Sequence, residues 1–325
     1  MGRPAILASM LAGVLLLGLL SYLLVRRSAG RSVETRESSP APSFEVAVAQ
    51  CGLGEKLAAL RSSVLPSIRL RTLSPGAVLP GRSKLGGRPD LPSSVAWPER
   101  NGKPMSFLAQ LALAELAPLD STRCLPHSGW LCFFHADQGI WGFDPKDVGG
   151  WAVIHVEGEP RELAPRELPA GVAADARFTE CSLAFEREET LPPLESAAGA
   201  ALGIADSKQD EAYSKLCDAL VGGSAQVNSI MHRVLGWPDP IQGDMQLECQ
   251  LASNGLYCGD GSGYADPRRA ALEPGATEWQ LLFQIDSEEK AGMMWGDAGR
   301  VYFWIRKQDL AARRFDRVWC ILQCS

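Results

Sequence analysis

The chain has 325 residues, of which 46% are hydrophobic and 22% are charged, and this balance excludes a largely disordered protein. Its formal net charge of −6 argues against a nucleic-acid-binding protein, because such proteins usually carry a basic surface. The nine cysteines are odd in number, form no Cys-x-x-Cys motif, and include Cys132 and Cys320 in apolar runs. We therefore expect buried free thiols, which favour a reducing compartment, rather than a disulfide framework.

An apolar segment without charged residues occupies positions 4–25 near the start of the chain. As a helix it would be about 33 Å long, which is enough to cross a hydrocarbon core of about 30 Å. Arg26 and Arg27 follow it directly. We predict a single transmembrane anchor over residues 1–25. A cleaved signal peptide is the alternative, although the apolar part of such peptides is shorter, at roughly 7–15 residues.

The positive charges around this segment predict its orientation. Arg3 precedes the segment, whereas Arg26, Arg27, Arg31 and Arg36 follow it. The side richer in arginine usually faces the cytoplasm. We therefore expect a single-pass protein of the cell membrane whose globular part is cytoplasmic, in agreement with the unpaired cysteines.

The remaining chain divides into a linker and a globular domain. Residues 26–50 are rich in Ser, Arg and Glu and contain two prolines, so we predict an exposed, disordered linker there. Residues 51–325 are long enough to bury a sizeable core.

Hydrophobic periodicity in the globular part predicts strands that precede and follow the helices without a regular alternation. Helices are predicted at 52–65, 208–221 and 310–314, and strands at 68–73, 106–113, 129–134, 151–156, 178–186, 279–286, 299–306 and 318–324. This arrangement favours an α+β fold with a mainly antiparallel sheet.

Three segments recur in the same order in two parts of the chain. KLGGRPD at 84–90 matches RVLGWPD at 233–239, FLAQLA at 107–112 matches LLFQID at 281–286, and GWLCFF at 129–134 matches GRVYFW at 299–304. We interpret them as two related half-units, about 66–156 and 226–325, packed into one sheet core. The alternative is that both regions use common turn and strand sequences.

Gln110 and Gln284 occupy matching positions, and each interrupts an apolar strand. A buried amide needs hydrogen-bond partners, since leaving it without them costs roughly 1–3 kcal/mol. Two explanations follow: each amide satisfies the backbone of the neighbouring Gly-Pro turn, or the two amides line a shared pocket.

The repeated segments also carry a family resemblance. SKLGGRPDLP, WPERNGKPMSFLAQLALAEL, HRVLGWPDPIQGDM and the C-terminal run from LLFQIDS to VWCILQC resemble the YwqG-like family of bacterial proteins over roughly residues 52–325. The resemblance implies a mixed α/β globular fold, no established activity and no known catalytic residues. Its members are usually soluble, so the predicted anchor departs from the pattern. The polar motif positions, which we take as candidate binding residues, are Gln110, His232, Gln242, Asp244, Gln284, Asp286 and Asp297.

Neither a metal site nor a cofactor site is predicted. Cys124, His127, Cys132 and His135 have a spacing that could suggest zinc. Positions 132 and 135, however, point to opposite faces of a strand. The GDGSG segment at 259–263 lacks the spacing of a phosphate-binding loop.

Two functions remain open from the sequence. The leading hypothesis is a binding or interaction module at the membrane, for a protein partner or a small ligand and not for nucleic acid. The alternative is a hydrolase that uses His232 with a carboxylate such as Asp297 as an acid-base pair.

Overall fold

The structure, a computed structural model, describes residues 43–136, 139–159, 162–221 and 230–325. The predicted transmembrane anchor at 1–25 lies outside the described residues, as does the predicted linker up to residue 42. Within the described ranges, no helix combines the length and the apolarity that crossing a bilayer requires.

One antiparallel sheet of ten strands dominates the fold, and a short hairpin, β3–β4, lies apart from it. The spatial order of the ten strands is β12-β11-β10-β9-β1-β8-β2-β5-β6-β7. The strands are β1 (Leu65–Pro75), β2 (Lys84–Leu85), β3 (Glu99–Arg100), β4 (Lys103–Pro104), β5 (Ser106–Ala112), β6 (Trp130–His135), β7 (Trp151–Val156), β8 (Cys181–Thr190), β9 (His232–Val234), β10 (Trp279–Asp286), β11 (Arg300–Arg306) and β12 (Trp319–Gln323). The predicted α+β fold with a mainly antiparallel sheet is therefore confirmed.

Neighbouring residues of β6 enter different parts of the core, because side chains alternate across a strand. The ring of Phe133 packs on Phe283 and Phe303, with centroids 4.7 Å and 5.1 Å away. The ring of Phe134 packs instead on Phe107, at 5.5 Å. Since all six residues of β6 are buried, the apolar run on both faces of this strand is explained. Through Phe133, strands from distant parts of the chain share one core.

The two edges of the sheet approach each other, so that the sheet is nearly closed. The indole Nε1 of Trp151, on edge strand β7, donates to the carbonyl oxygen of Val318 at 2.8 Å. The N–H of Leu322, on the opposite edge strand β12, donates to the carbonyl oxygen of Trp141 at 2.9 Å. The rings of Trp151 and Trp319 pack edge to face across the same junction, at 5.0 Å.

Helices cover the sheet and build a second, smaller core beside it. The α-helices are α1 (Phe44–Gln50), α2 (Leu57–Ser63), α3 (Leu113–Leu116), α4 (Ala197–Ala200), α5 (Ser207–Leu220), α6 (Gln246–Ala252), α7 (Ser262–Ala265), α8 (Arg269–Leu272) and α9 (Lys307–Ala311). The smaller core joins Phe44, Val48, Leu60 and Leu216. Helix α5 agrees with its prediction to within one residue at each end, whereas α6, α7 and α8 were not predicted.

The predicted linker at 26–50 is wrong over its last seven residues, because these form α1. Ser43 caps this helix by accepting a hydrogen bond from the N–H of Val46 at 3.4 Å. Phe44, Ala47 and Val48 lie on one face and are buried in the smaller core. The helical spacing of these three residues was not recognised in the sequence, because the residues just before them are rich in Ser and Pro.

Strands β1 and β8 form the centre of the sheet and connect its two sides. They pair with each other over most of their length. On its other edge β1 pairs with β9, and β8 pairs with β2. The sheet then continues through β10, β11 and β12 on one side and through β5, β6 and β7 on the other. Strand β1 thus pairs with β9, the strand that follows β8 in the chain. Strand β8 pairs with β2, the strand that follows β1.

A buried glutamine holds the turn that follows β2. The Oε1 atom of Gln110 accepts a hydrogen bond from the N–H of Asp90 at 2.8 Å, and its Nε2 donates to the carbonyl oxygen of Arg82 at 3.0 Å. Its Nε2 also donates to the Asp90 carboxylate at 2.8 Å. The amide therefore joins the two ends of the segment that contains β2.

The turn after β9 is held in the same way by the matching glutamine. The Oε1 atom of Gln284 accepts from the N–H of Asp239 at 2.9 Å, and its Nε2 donates to the carbonyl oxygen of Met231 at 2.5 Å. Gln110 and Gln284 both have an exposed fraction of 0%. Of the two explanations for these amides, the structure supports the one in which each satisfies a turn.

We expect Gln110→Leu to lower the free energy of unfolding by about 2–4 kcal/mol, because it leaves the N–H of Asp90 and the carbonyl of Arg82 buried without partners. Urea unfolding followed by tryptophan fluorescence measures this change. The control is Gln308→Leu on the exposed face of α9, for which we expect a change within about 0.5 kcal/mol. Equal effects of the two substitutions would contradict the role given to the Gln110 amide.

Candidate functional site

The structure does not bring the candidate residues from the sequence together into one site. Gln110 and Gln284 are committed to the turns described above and are fully buried. His232 and Asp286 lie together in a buried network between β9 and β10. Gln242 and Asp244 lie on the segment that leads into α6.

His232 is buried with an exposed fraction of 0%. Its Nδ1 atom accepts a hydrogen bond from the N–H of Asp286 at 3.0 Å, so the neutral ring carries its proton on Nε2. That nitrogen lies 3.8 Å from an Oε2 atom of Glu288, whose side chain is 1% exposed. Burial opposes ionisation of Glu288, but the nearby His232 ring and the backbone N–H of Lys290 hold its pKa below the usual value.

Arginine neutralises the two aspartates beside this ring. The guanidinium of Arg300 lies 3.1 Å from Asp286 Oδ2 and 2.6 Å from Asp239 Oδ2. Asp286 also accepts a hydrogen bond from the N–H of Met231 at 2.7 Å. These charges therefore stabilise the turn between β9 and β10.

The proposed hydrolytic pair of His232 and Asp297 does not form. In the described part of the chain, the carboxylate within 4.0 Å of the His232 ring is that of Glu288. Asp297 is exposed on a turn. A hydrolase would need a substrate to reach the ring, and the ring has no exposed surface.

The residues with zinc-like spacing are also separated. Cys132 is buried with its Sγ atom 3.8 Å from Gln110 Oε1. His135, three residues along β6, lines a different cavity. Cys124 and His127 lie on a surface groove beside Arg123. Across the described residues, no group of three or more His, Cys, Asp or Glu side chains is placed to hold a metal ion.

A cavity of about 680 Å³ lies beside β5 and β6 and is called here the Trp295 cavity. Its apolar wall includes Leu108, Phe178 and Trp295. Its polar lining consists of Ser106, His135, Lys103 and Asp175. The indole of Trp295 meets Phe178 edge to face at 5.5 Å. The lining residues come from β4, β5, β6 and connecting segments that are far apart in the sequence.

A second cavity, of about 330 Å³, is called here the Glu248 cavity. Glu248 lines it from α6 together with Trp141 and Phe143, and Gln242 and Gln323 are among the other lining residues. Burial raises the pKa of Glu248 to about 7, and the nearby charge of Asp244 adds to the effect. Asp244 itself accepts weak hydrogen bonds from the N–H groups of Gln246 and Leu247, at 3.3 Å and 3.4 Å.

Gln242, which was predicted from the sequence, lines this second cavity and Asp244 lies near it, whereas Glu248, Trp141 and Phe143 were not predicted. Helix α6 spans only seven residues, so its apolar periodicity is too short to stand out. Nothing in the sequence indicates that Glu248 lines a cavity together with two aromatic rings from a loop about a hundred residues away.

Comparison with known proteins gives a family but no activity. The model of the family DUF1963, a domain of unknown function, matches residues 83–324. This is well over half of the chain and includes both groups of outer strands and both cavities. No curated protein matches the chain.

We expect Glu248→Gln to raise the free energy of unfolding at about pH 8 by an amount on the order of 2 kcal/mol. The pKa of this carboxyl is about 7 in the folded chain, against an ordinary value of 4.5. The folded state therefore holds the proton more tightly, and the wild-type residue costs stability as the pH rises from about 4.5 to 7.

The measurement is urea unfolding of both proteins at several pH values. The difference between them should vanish below about pH 4, where the carboxyl is protonated in both states. Glu289→Gln, at an exposed position, is the matched control and should give no such pH-dependent difference. A Glu248→Gln variant that is less stable at pH 8 would contradict the burial of an unpaired carboxylate.

Proposed function

We propose that this chain, which belongs to the DUF1963 family, is a binding module for a small molecule held in the Trp295 cavity. The observation that carries the proposal is the cavity of about 680 Å³. Binding sites for small molecules are concave, mostly apolar, and of roughly 300–1,000 Å³. The Trp295 cavity meets all three criteria.

The apolar wall of the cavity favours a flat apolar group. Trp295 has an exposed fraction of only 2% and Leu108 of 0%, so both are fixed by packing and not free to fill the space. The Trp295 indole is also held by donation from its Nε1 to the carbonyl oxygen of Asp286, at 3.2 Å. A rigid wall of this kind lowers the entropy that a ligand would lose on binding.

The polar lining supplies the second recognition element. Ser106 and His135 are directly opposite each other on β5 and β6, so their side chains project from the same face of the sheet. Both line the cavity. A hydroxyl and an imidazole can both donate and accept hydrogen bonds. The ligand class is therefore a flat apolar molecule with one polar or anionic group.

We further propose that residues 4–25 anchor the module to the cell membrane and that the globular part lies in the cytoplasm. The support is the uncharged apolar segment, the arginines that follow it, and the free state of all nine cysteines. The quoted sequence segments support assignment to the YwqG-like group within the family. The side-chain amides of Gln110 and Gln284 make matching hydrogen bonds to the turns after β2 and β9. This match supports an origin of the sheet from two related half-units.

Filling the Trp295 cavity should abolish binding. We expect 4-(trifluoromethyl)benzoate to bind the full-length protein saturably in ¹⁹F NMR titrations, with detergent micelles alone as the blank. Ala176→Trp places an indole at the cavity wall, so affinity should fall by about tenfold or more.

The matched control is Ala174→Trp, on the same short helical turn at an exposed position that does not line the cavity. It should bind the probe like the wild type. Equal affinity of wild type and Ala176→Trp, or no saturable binding by the wild type, would overturn the proposed site.

The anchor has its own test. After alkaline carbonate extraction of membranes, the full-length chain should stay in the pellet, and a variant lacking residues 4–25 should be released, because the deleted segment supplies the apolar span. Intact mass distinguishes an anchor from a signal peptide, since cleavage would shorten the chain. A mature protein that begins after residue 25 would contradict the anchor.

A further inference from the structure

Glu248 is a largely buried carboxylate that has no counterion in the part of the chain that the structure describes. Among the described residues it accepts no side-chain or backbone hydrogen bond and forms no ion pair, although it lines the Glu248 cavity. A buried charge is normally paired, because leaving it unpaired is costly. The chain therefore retains an unfavourable group at a place that is open to a small ligand.

The groups around Glu248 cannot supply the missing positive charge. The titratable side chains that interact with it are the Asp244 carboxyl, the thiols of Cys249 and Cys258, and the phenol of Tyr264. Burial raises the pKa of Cys258 to about 11, and burial likewise raises the pKa of Tyr264. Both are neutral at physiological pH, so the surroundings of the carboxylate are neutral or acidic.

Two aromatic rings line the same cavity as Glu248. Trp141 and Phe143 lie nearly parallel, with 25° between their planes and 6.4 Å between their centroids. Phe143 is braced edge to face by Tyr257 at 5.7 Å. The faces of such rings carry negative electrostatic potential and attract cations.

This aromatic wall is fixed before any ligand arrives. The N–H groups of Trp141 and Gly142 donate to Asp147 Oδ2 at 3.2 Å and 2.8 Å. The carbonyl oxygen of Phe143 accepts from the N–H of Cys258 at 2.9 Å, and that of Trp141 accepts from Leu322. Three separate segments thus hold the loop, so little entropy would be lost in forming the site.

We propose that the Glu248 cavity binds an organic cation, a substituted ammonium group that pairs with the Glu248 carboxylate and packs its alkyl groups against Trp141 and Phe143. The cation supplies the charge that the described surroundings of Glu248 lack, and the rings replace the water around its methyl groups. This site is separate from the Trp295 cavity and does not depend on its occupancy. A metal ion does not fit the donor set, because no metal-binding group is formed among the residues that the structure describes.

The test compares two probes of equal shape and different charge, choline and its uncharged analogue 3,3-dimethylbutan-1-ol. Isothermal titration calorimetry on the full-length protein in a non-ionic detergent measures both. At about pH 8 we expect choline to bind at least about tenfold more tightly than the uncharged analogue. Lowering the pH to about 6 should weaken choline binding by roughly tenfold, since the carboxylate, with a pKa of about 7, becomes protonated.

Two variants locate the site. Glu248→Gln keeps the shape and removes the charge, so it should weaken choline binding by about tenfold or more and abolish its pH dependence. Phe143→Leu should weaken choline binding severalfold, whereas the exposed control Glu289→Gln should not change it. Equal binding of the two probes, unchanged choline affinity in Glu248→Gln, or no choline binding at all would overturn the proposal. None of these results would bear on the Trp295 cavity, which is tested with a different probe and variant.

Discussion

A buried amide on each side of the sheet is the constraint on which the rest of the fold depends. An amide in an apolar core must both donate and accept hydrogen bonds. Gln110 and Gln284 do so by bonding to both ends of the segment that contains the neighbouring short strand, β2 or β9. Each short strand joins three outer strands to the central pair β1–β8. Without the amide, the backbone groups at the ends of this segment would be buried without hydrogen-bond partners. The short strand that links the outer strands to the centre of the sheet would then be destabilised.

Buried charges reinforce the same junction. Lys84 of β2 lies 3.1 Å from the Asp90 carboxylate, and Arg233, its counterpart on β9, lies 3.3 Å from Glu188 of the central strand β8. Arg69 of β1 approaches the same Glu188 oxygen, at 3.3 Å. Removing the charge of Lys84 or of Glu188 would leave a buried partner uncompensated, which costs more than the intact pair contributes. These ion pairs link the short strands β2 and β9 to their neighbours at the centre of the sheet.

The sequence predicted the parts of this fold that depend on local pattern. The antiparallel strands followed from alternation, and the Gly-Pro segments predicted the turns, where Gly87 and Gly236 do have positive φ angles of 70° and 73°. It could not predict the exchange of short strands around β1 and β8, because strand order is set by contacts between distant residues. It failed at α1 and α6, which are each only seven residues long and owe their stability to packing more than to helix propensity.

For the candidate site, polar motif positions identified Gln242 and Asp244 beside a cavity. They also selected Gln110, Gln284 and Asp286, whose polarity serves the backbone. Polarity within an apolar run identifies a buried hydrogen-bond network as readily as a ligand site.

What separates these two kinds of polar residue is whether the protein itself completes the hydrogen bonds and charges. The side chains of Gln110, Gln284, Lys84 and Asp286 all find partners within the chain, so their burial is explained by the fold. Glu248 is different, since its surroundings contain aromatic faces, acids and neutral groups but no described cation. A residue that weakens the folded state and could be replaced by its neutral isostere at no structural loss is not retained for stability. The buried amides are explained by the hydrogen bonds that they make within the chain, whereas the charge of Glu248 is not balanced by any described residue and therefore marks a ligand site.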